Sequence, residues 1–527
     1  MNIWLREVNW PWRPERYRFP TEQMLLTLFP EEKPVYPDMT RPGLPPKGPA
    51  GEGSVIITLS RGGMLTTVSA LVKLGDRSRH GAVRFPSEKL DERPDRVYRT
   101  VSHALKQAFY KAGTALLGHE LPWGSLTGVR PVKLPTRAMR SGKTARQAER
   151  ELEREYRVSP PRAALAVECA RAALDVQKSL QRDALSLYLG VPFCPTRCAY
   201  CSFISADIKG SLALVEPYVD ALCREIGLAG ELLRENGLHI ASAYMGGGTP
   251  TTLTGPQLDR VLACVERSLP MERCAEFTVE AGRPDTLTAD KLNILRDHNI
   301  RRISINPQTM EDSVLRAIGR DHTAAQIEAA MELAQRHFGG LVNMDLIAGL
   351  PTDTRSGFQR TLDRVSALEP ANITVHTLAL KKGSRLTQEG GALPVPEDVE
   401  IMLETASQRL RGAGYAPYYL YRQKYMSGSF ENVGWTRPGA MCAYNIVMME
   451  ELQTVLSLGA GGVTKLVDPD RGQIIRLSNP KYAKEYLESW DKISADKRTA
   501  AAFQAAPDAL WAGASSRPSG HTVKTLR

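Results

Sequence analysis

The sequence predicts an α/β protein: a partial (β/α)6 barrel, with a small α/β domain before it and an α+β extension after it. Three observations predict this. Short apolar runs recur six times between about residues 185 and 380 with amphipathic helical stretches between them, which builds parallel β/α units with right-handed connections. Polar residues stand at the C-terminal ends of several of these strands, the pattern of a barrel mouth; an open sheet gathers them at one switch point. The segments on either side have a different composition and no such alternation.

Residues 1–53 read as an N-terminal segment ending in a Pro- and Gly-rich linker, "EEKPVYPDMTRPGLPPKGPAGEG". An accessory α/β domain is expected over 54–183. It opens with "SVIITLS" and "MLTTVSALVKL", two β-rich runs joined at Arg61-Gly62-Gly63 as a hairpin. A helix from Pro94 to Leu117, an irregular connection from Leu121 to Pro135 and a charged helical stretch over 143–181 follow. The barrel is expected over 184–395, its strands lying in "LSLYLGV", "SAYMGG", "EFTVEA", "RRISINP", "LVNMDLIAG" and "ITVHTLAL". "VEPYVDALCREIGLAGELLREN" and "AAQIEAAMELAQRHF" show helical periodicity between them. Residues 396–492, which include the Tyr-rich "GYAPYYLYRQKY", are expected to form a domain on the substrate side. The Ala-, Ser- and Pro-rich tail over 493–527 is expected to be disordered.

An apolar fraction of 42% and a charged fraction of 24% are ordinary for a soluble globular protein. No apolar run approaches the ~18 residues that span a bilayer. The first residues lack the apolar core of a secretory signal, so a cytoplasmic protein without a membrane partner is expected. The net charge of +10 is compatible with nucleic acid, with a polyanionic substrate or with a solvated basic surface. No dense Lys/Arg block interleaved with aromatics occurs, so nucleic acid is not an expected partner.

Three of the eight cysteines fall within "CPTRCAYC", as Cys194, Cys198 and Cys201. The other five are scattered, and each suits a small buried hydrophobe. A structural zinc site needs four ligands, and no further Cys or His follows in the next twenty residues. A disulfide would leave an odd thiol. Three thiolates from one short loop suit a [4Fe–4S] cluster whose fourth iron is open to another ligand; zinc or chance is the alternative. One strand later comes "MGGGTP". Its glycines let the backbone approach a ligand closely, and the segment lacks the Gly-Lys-Ser/Thr ending of a nucleotide loop.

C-x3-C-x2-C with Tyr200 before the last cysteine resembles the radical S-adenosylmethionine (SAM) superfamily. "YLGVPFCPTRCAYCSF", "GGGTPT", "TVEAGRPD", "NPQTM", "IGRDHT" and "MDLIAGLP" resemble, in order, its oxygen-independent coproporphyrinogen III oxidase family. "LPWGSLTGVRP" and "ENVGWTRPGAMCAYNIVMMEELQTVLSLGAGGVTK" are similar to a long branch of that family with an extra N-terminal domain. The resemblance implies a cluster on Cys194, Cys198 and Cys201 and one or two molecules of SAM. It implies that Tyr188 lies beside the cluster, that Gly247, Gly248 and Thr249 hold the methionine part of SAM, and that Glu280 binds SAM. Gln308, Arg320 and Asp345 are implied as further SAM contacts, with Tyr200 and Ala379 near a second SAM.

The activity implied is anaerobic oxidative decarboxylation of two propionates of coproporphyrinogen III, giving protoporphyrinogen IX for haem synthesis. Such an enzyme takes electrons from a reduced flavodoxin- or ferredoxin-type donor and is expected to act as a monomer. Four substrate carboxylates call for cationic clamps, and Arg422 and Lys424 are the candidates. One departure bears on the reaction. The coproporphyrinogen-oxidising branch has a fourth cysteine two residues after the third, and Phe203 stands there in this chain. Haem-carrying chaperones of the family also have Phe, so a haem chaperone is the alternative function. A radical SAM RNA-modifying enzyme is a third reading, without an evident RNA-binding module.

Overall fold

Residues 1–37, 53–203, 206–381, 383–423, 426–469, 471–506 and 522–525 are described by a computed structural model. The chain divides into two compact units, Met1–Val167 with Arg422–Phe430, and Glu168–Tyr421 with Glu431–Arg527. The division falls inside the helix Pro160–Ser179 and not at the expected boundary near 183.

The first unit is built on a four-stranded sheet of β1 (Asn2–Val8), β2 (Ser54–Arg61), β3 (Leu65–Leu74) and β4 (Arg77–Pro86), in that order. β2, β3 and β4 form an antiparallel meander, and β1 lies parallel to β2 with Asn2 opposite Ser54. Alternate residues point to one face, so Ile3, Leu5, Val55, Ile57, Val68 and Val72 are buried together. They pack against Met24 and Leu28 of the helix Arg18–Leu28 and Val101, Leu105 and Phe109 of the helix Pro94–Leu117. The long helix starts with proline at its first position and ends at Gly118, whose φ of 88° makes a left-handed cap. The N-terminal segment is therefore corrected: residues 2–8 are a strand of this sheet. "NIWLREV" does alternate, but its partner lies across the Pro/Gly-rich segment, and a parallel pairing leaves no hairpin signal. Residues 38–52 of the expected linker lie outside the described residues.

The second unit contains β5 (Ala184–Val191), the short parallel pair β6 (Phe193–Cys194) and β7 (Ala206–Asp207), β8 (His239–Gly247), β9 (Glu276–Glu280), β10 (Arg302–Ser304), β11 (Leu341–Ala348) and β12 (Asn372–Thr377). Strands β5, β8, β9, β10, β11 and β12 lie side by side in sequence order, each parallel to the next. These are the six predicted strands of the partial barrel. Their near-continuous burial, as in Leu187, Leu189, Ile303, Met344 and Leu346, is that of parallel strands covered on both faces.

The C-terminal extension continues the sheet at both ends. β13 (Ala416–Arg422) and β14 (Glu431–Thr436) follow β12, with β14 antiparallel to it. β15 (Val455–Gly459) runs parallel to β5, and β16 (Val463–Asp468), β17 (Gln473–Ser478) and β18 (Thr522–Thr525) continue from it.

The expected disordered tail from 493 is corrected in part. Residues Trp490–Ala505 are a helix with Ile493, Ala500, Ala501 and Phe503 buried. Residues 507–521 and 526–527 lie outside the described residues. This helix is tied down by a buried ion pair that no local pattern announces: Lys497 Nζ lies 3.0 Å from Glu225 on the helix Leu212–Glu235. Glu225 also accepts from Gly459 N at 2.7 Å, Asn479 Nδ2 at 2.9 Å and the Tyr486 hydroxyl at 2.6 Å. Removing one partner of such a pair leaves an uncompensated buried charge, which costs about 3–5 kcal/mol. Lys497→Met is therefore expected to lower stability by about that amount in urea denaturation, with Glu225→Gln recovering part of the loss. Additive losses in the double variant would show that the pair is not coupled.

Candidate active site

The cysteine loop leaves the end of β5 and is fixed by backbone bonds on both sides. Gly248 N donates to Val191 O and Thr249 N to Phe193 O, both at 2.7 Å, so the glycine turn after β8 is sewn to the start of the loop. Ala199 N donates to Ile318 O at 2.9 Å, and Leu386 N to Ala199 O at 2.8 Å. Arg283, buried beside Asp285, reaches Thr196 Oγ1 at 3.0 Å. The Thr249 hydroxyl lies 3.6 Å from Cys194 Sγ.

Burial, eased by a bond from the Phe203 backbone and reinforced by the neighbouring Cys198 and Cys194 thiols, pushes Cys201 up to about 11. A thiol crowded by two others releases its proton on binding a metal centre, whose positive charge offsets the repulsion between thiolates. Among the described residues no three His, Cys, Asp or Glu side chains gather closely enough to hold one metal ion. A cubane cluster asks for a different arrangement, each thiolate taking its own iron.

The glycine turn is shaped by close approach. A Cβ on Gly248 would lie 2.4 Å from Phe193 O. Gly247 has a φ of 108°, and a Cβ there would come within 3.2 Å of the Tyr188 hydroxyl. Tyr188 on β5 stacks on Tyr244 of β8 at 6.4 Å, and Tyr244 stacks on Tyr444 at 4.9 Å. Tyr244 donates to Glu280 Oε1 at 2.7 Å. Burial pushes the Glu280 carboxyl up to about 7, held there against bonds from Tyr244 and Gly247 N with Asp345 adding repulsion. Glu280 at the end of β9 thus faces the glycine turn and senses Asp345 two strands away.

Asp345 on β11 is the opposite case. Burial pushes it up, but bonds and charge from His376 and bonds from Asn343 and Thr374 prevail and hold it below the usual carboxylate range. Asn343 Nδ2 donates to its Oδ1 at 2.8 Å, and His376 in turn lies 3.2 Å from the Tyr421 hydroxyl. Gln308 sits just past β10. Its N donates to Asp345 O at 2.9 Å and its O accepts from Ile347 N at 3.0 Å. These two bonds hold Gln308 at a φ of 69°, a region that side chains other than glycine rarely adopt and that recurs at functional sites. Arg320 is buried, donating to Asn306 O at 2.5 Å and the Tyr200 hydroxyl at 3.1 Å. Tyr200 packs with Ile318, Ile347 and Leu378, one residue before Ala379.

Several buried polar atoms here have no hydrogen-bond partner among the described residues: Gln308 Oε1, Asn306 Oδ1, Arg320 Nε and both ring nitrogens of His322. Unpaired polar groups of this kind are costly and mark ligand sites. Together with the glycine turn and Glu280 they fit a polar, zwitterionic ligand beside the cysteines.

The expected residues are thus brought together around the strand ends, with two exceptions. Arg422 belongs to the first unit and is corrected as a substrate clamp. Its guanidinium is buried over the Trp123 ring, with Nε donating to Ser429 O at 2.8 Å and Nη1 to Leu126 O. The sequence displays a cation in a Tyr-rich run but not the distant carbonyls that take its donors. Lys424 lies outside the described residues. Tyr244, Tyr444, Asn306 and His376 were not anticipated. Tyr244 was within reach, since it lies on a strand just before the glycine turn; Tyr444 was not, because it comes from the distant helix Ala443–Glu450.

The radical SAM superfamily model matches residues 188–365. The Bacillus subtilis (strain 168) oxygen-independent coproporphyrinogen-III oxidase-like protein HemZ is 37% identical over 449 residues, 84% of this chain and 89% of that protein. The Escherichia coli (strain K12) heme chaperone HemW is 28% identical over 316 residues, 59% of this chain and 79% of that protein. The solved structure of coproporphyrinogen III oxidase (HemN) from Escherichia coli, a radical SAM enzyme, shows 25% sequence identity and a TM-score of 0.49. It covers 62% of this chain and 73% of that one.

Proposed function

Because the chain belongs to the radical SAM superfamily, in its HemZ- and HemN-like family, we propose that it oxidatively decarboxylates two propionate side chains of coproporphyrinogen III. Each propionate loses a β-hydrogen atom, CO2 and one electron and becomes a vinyl group, so the product is protoporphyrinogen IX. The observation that supports this reading is the strand-end array: three thiols, a glycine turn bonded to their loop, and a buried Glu280 facing that turn.

Cys194, Cys198 and Cys201 would hold a [4Fe–4S] cluster, which when reduced supplies the electron that splits SAM into methionine and a 5′-deoxyadenosyl radical. The chain's own residues do the rest. Glu280 accepts the ligand's ammonium, and Gly247, Gly248 and Thr249 bring the backbone to its methionine part. Gln308, Asn306, Arg320 and Asp345 offer the remaining polar contacts, and the Tyr188–Tyr244–Tyr444 stack supplies an apolar wall that excludes water. The outlet for the electron is a separate acceptor, and the supply is a reduced flavodoxin- or ferredoxin-type protein.

A haem chaperone is the second reading. It is favoured by Phe203, which is 66% exposed beside the cysteine loop, and by the likeness to HemW. Isotope transfer separates the two. Coproporphyrinogen III deuterated at the propionate β-carbons, incubated anaerobically with SAM and reductant, is expected to place deuterium in 5′-deoxyadenosine and to yield protoporphyrinogen IX. Stoichiometric haem binding with no deuterium transfer would give the chaperone reading instead.

A further inference from the structure

The chain's positive charge is not spread evenly. Residues 1–167 hold 28 Lys and Arg against 17 Asp and Glu, whereas the other 360 residues hold 40 against 41. The whole excess therefore belongs to the N-terminal unit, which contributes none of the cysteine, glycine-turn or carboxylate groups of the site above. In the linear sequence these cations are dispersed. The sheet gathers some of them.

One face of the sheet of β1–β4 is covered by two helices; the residues that point to the other, outward face range from half-buried, as Thr58 and Ser69, to exposed, as Leu71 and Lys73. The pairing registers align Trp4, Ile56, Leu71 and His80 in a row straight across the four strands on the outward face. Leu71 is 39% exposed, His80 is exposed, and Trp4 and Ile56 are half-buried. With strands ~4.8 Å apart the row is roughly 14 Å long, with an aromatic ring at each end. Cations flank it. Lys73 lies in the neighbouring row on one side, Arg6 and Arg84 in the rows on the other, and both Lys73 and Arg84 are exposed. The positions between them carry hydroxyls, Thr58, Ser60, Thr67 and Ser69. No Asp or Glu occupies an outward position on any of the four strands.

We propose that this outward face binds single-stranded RNA. An apolar, ring-ended row with cations on both sides offers bases a stacking platform and phosphates a counter-charge, with the hydroxyls placed to meet sugar and phosphate oxygens. A duplex hides its base faces and gains nothing from such a row. An acidic protein uses the cations but leaves the flat apolar row without a matching plane. Charge complementarity thus selects a polyanion, and the row selects one with free base faces.

The test uses the full-length chain, prepared anaerobically with its cluster, and a fluorescein-labelled 20-nucleotide RNA of mixed sequence, followed by anisotropy. Three phosphate contacts predict a slope of about −2 for log affinity against log salt, or roughly fifteenfold weaker binding between 50 and 200 mM. Lys73→Glu with Arg84→Glu is expected to flatten that slope by about 1.4. His80→Ala is expected to weaken binding about fivefold with the slope unchanged, as loss of one stacking contact does. Both variants are expected to keep the parent's urea-unfolding profile, which shows that the N-terminal unit is folded, and to cleave SAM at the parent rate. Absence of binding at 50 mM salt, or parent-like binding by both variants, overturns the proposal. So does competition by poly-glutamate, or by duplex RNA of the same length, as strong as that of the single strand: the face would then be an acidic-protein dock or a charge-only surface.

Discussion

Cys194→Ala, Cys198→Ala and Cys201→Ala are each expected to abolish reductive SAM cleavage and to lose the cluster. Parent protein reconstituted anaerobically is expected to hold about four irons per chain at this site. The three thiols share one loop, held at 2.7 Å backbone contacts to the glycine turn, and no other thiol is held there to stand in. Cys169 and Cys442 are buried, and burial pushes the Cys442 thiol up to about 12 among Tyr418, Tyr419 and Tyr444. Cys169→Ala and Cys442→Ala should therefore keep both iron and cleavage. Iron analysis with the electron paramagnetic resonance signal of the reduced protein reads the outcome. Any loop variant that retains cluster and cleavage would show that the trio does not ligate it.

Glu280→Gln is expected to weaken SAM binding about 10- to 100-fold while making the free protein more stable at alkaline pH, since a hydrogen bond to a charged group contributes about 1.5–3 kcal/mol. The stability effect follows from linkage. Glu280 titrates at about 7 in the folded protein against an ordinary 4.5. Below 4.5 both states are protonated and nothing is lost. As pH rises to 7 the unfolded chain releases its proton first, and above 7 the folded state bears the full cost of a buried carboxylate, about 3 kcal/mol. Glutamine keeps the bond from Tyr244 without the charge, so its gain should be near zero at pH 4.5 and largest at pH 8 in urea denaturation. SAM affinity of the parent should fall as pH drops through 7, about tenfold per unit, because the ammonium needs the carboxylate form. The variant should show no such dependence. A flat parent profile would remove Glu280 from the SAM site.

The strand-end array was legible because parallel β/α units map chain order onto position. Each strand's C-terminus falls on the same rim, so the cysteine loop, the glycine turn, Glu280, Gln308 and Asp345 read in sequence become neighbours in space. The electrostatics were not legible. Glu280 and Asp345 are both carboxylates on barrel strands, yet one is pushed up by burial and the other held down by His376 and Asn343. Asn343 stands two residues before Asp345, but His376 and Thr374 come from the next strand, and no pattern around Asp345 in the sequence announces them. Arg422 failed for the same reason, because its partners Leu126 and Trp123 come from a segment far away in the chain.

Periodicity and loop chemistry are local properties. They sufficed for the α/β class, the six barrel strands and the three thiols. Pairing and burial are not local. Folding alone set β1 into the N-terminal sheet, turned part of the expected tail into a helix buried against Glu225, stacked Tyr244 between Tyr188 and Tyr444, and lined up Trp4, Ile56, Leu71 and His80. Each of these joins residues distant in the chain through desolvated contacts, whose free energy depends on what the rest of the fold brings alongside and not on the residues' own neighbours in sequence.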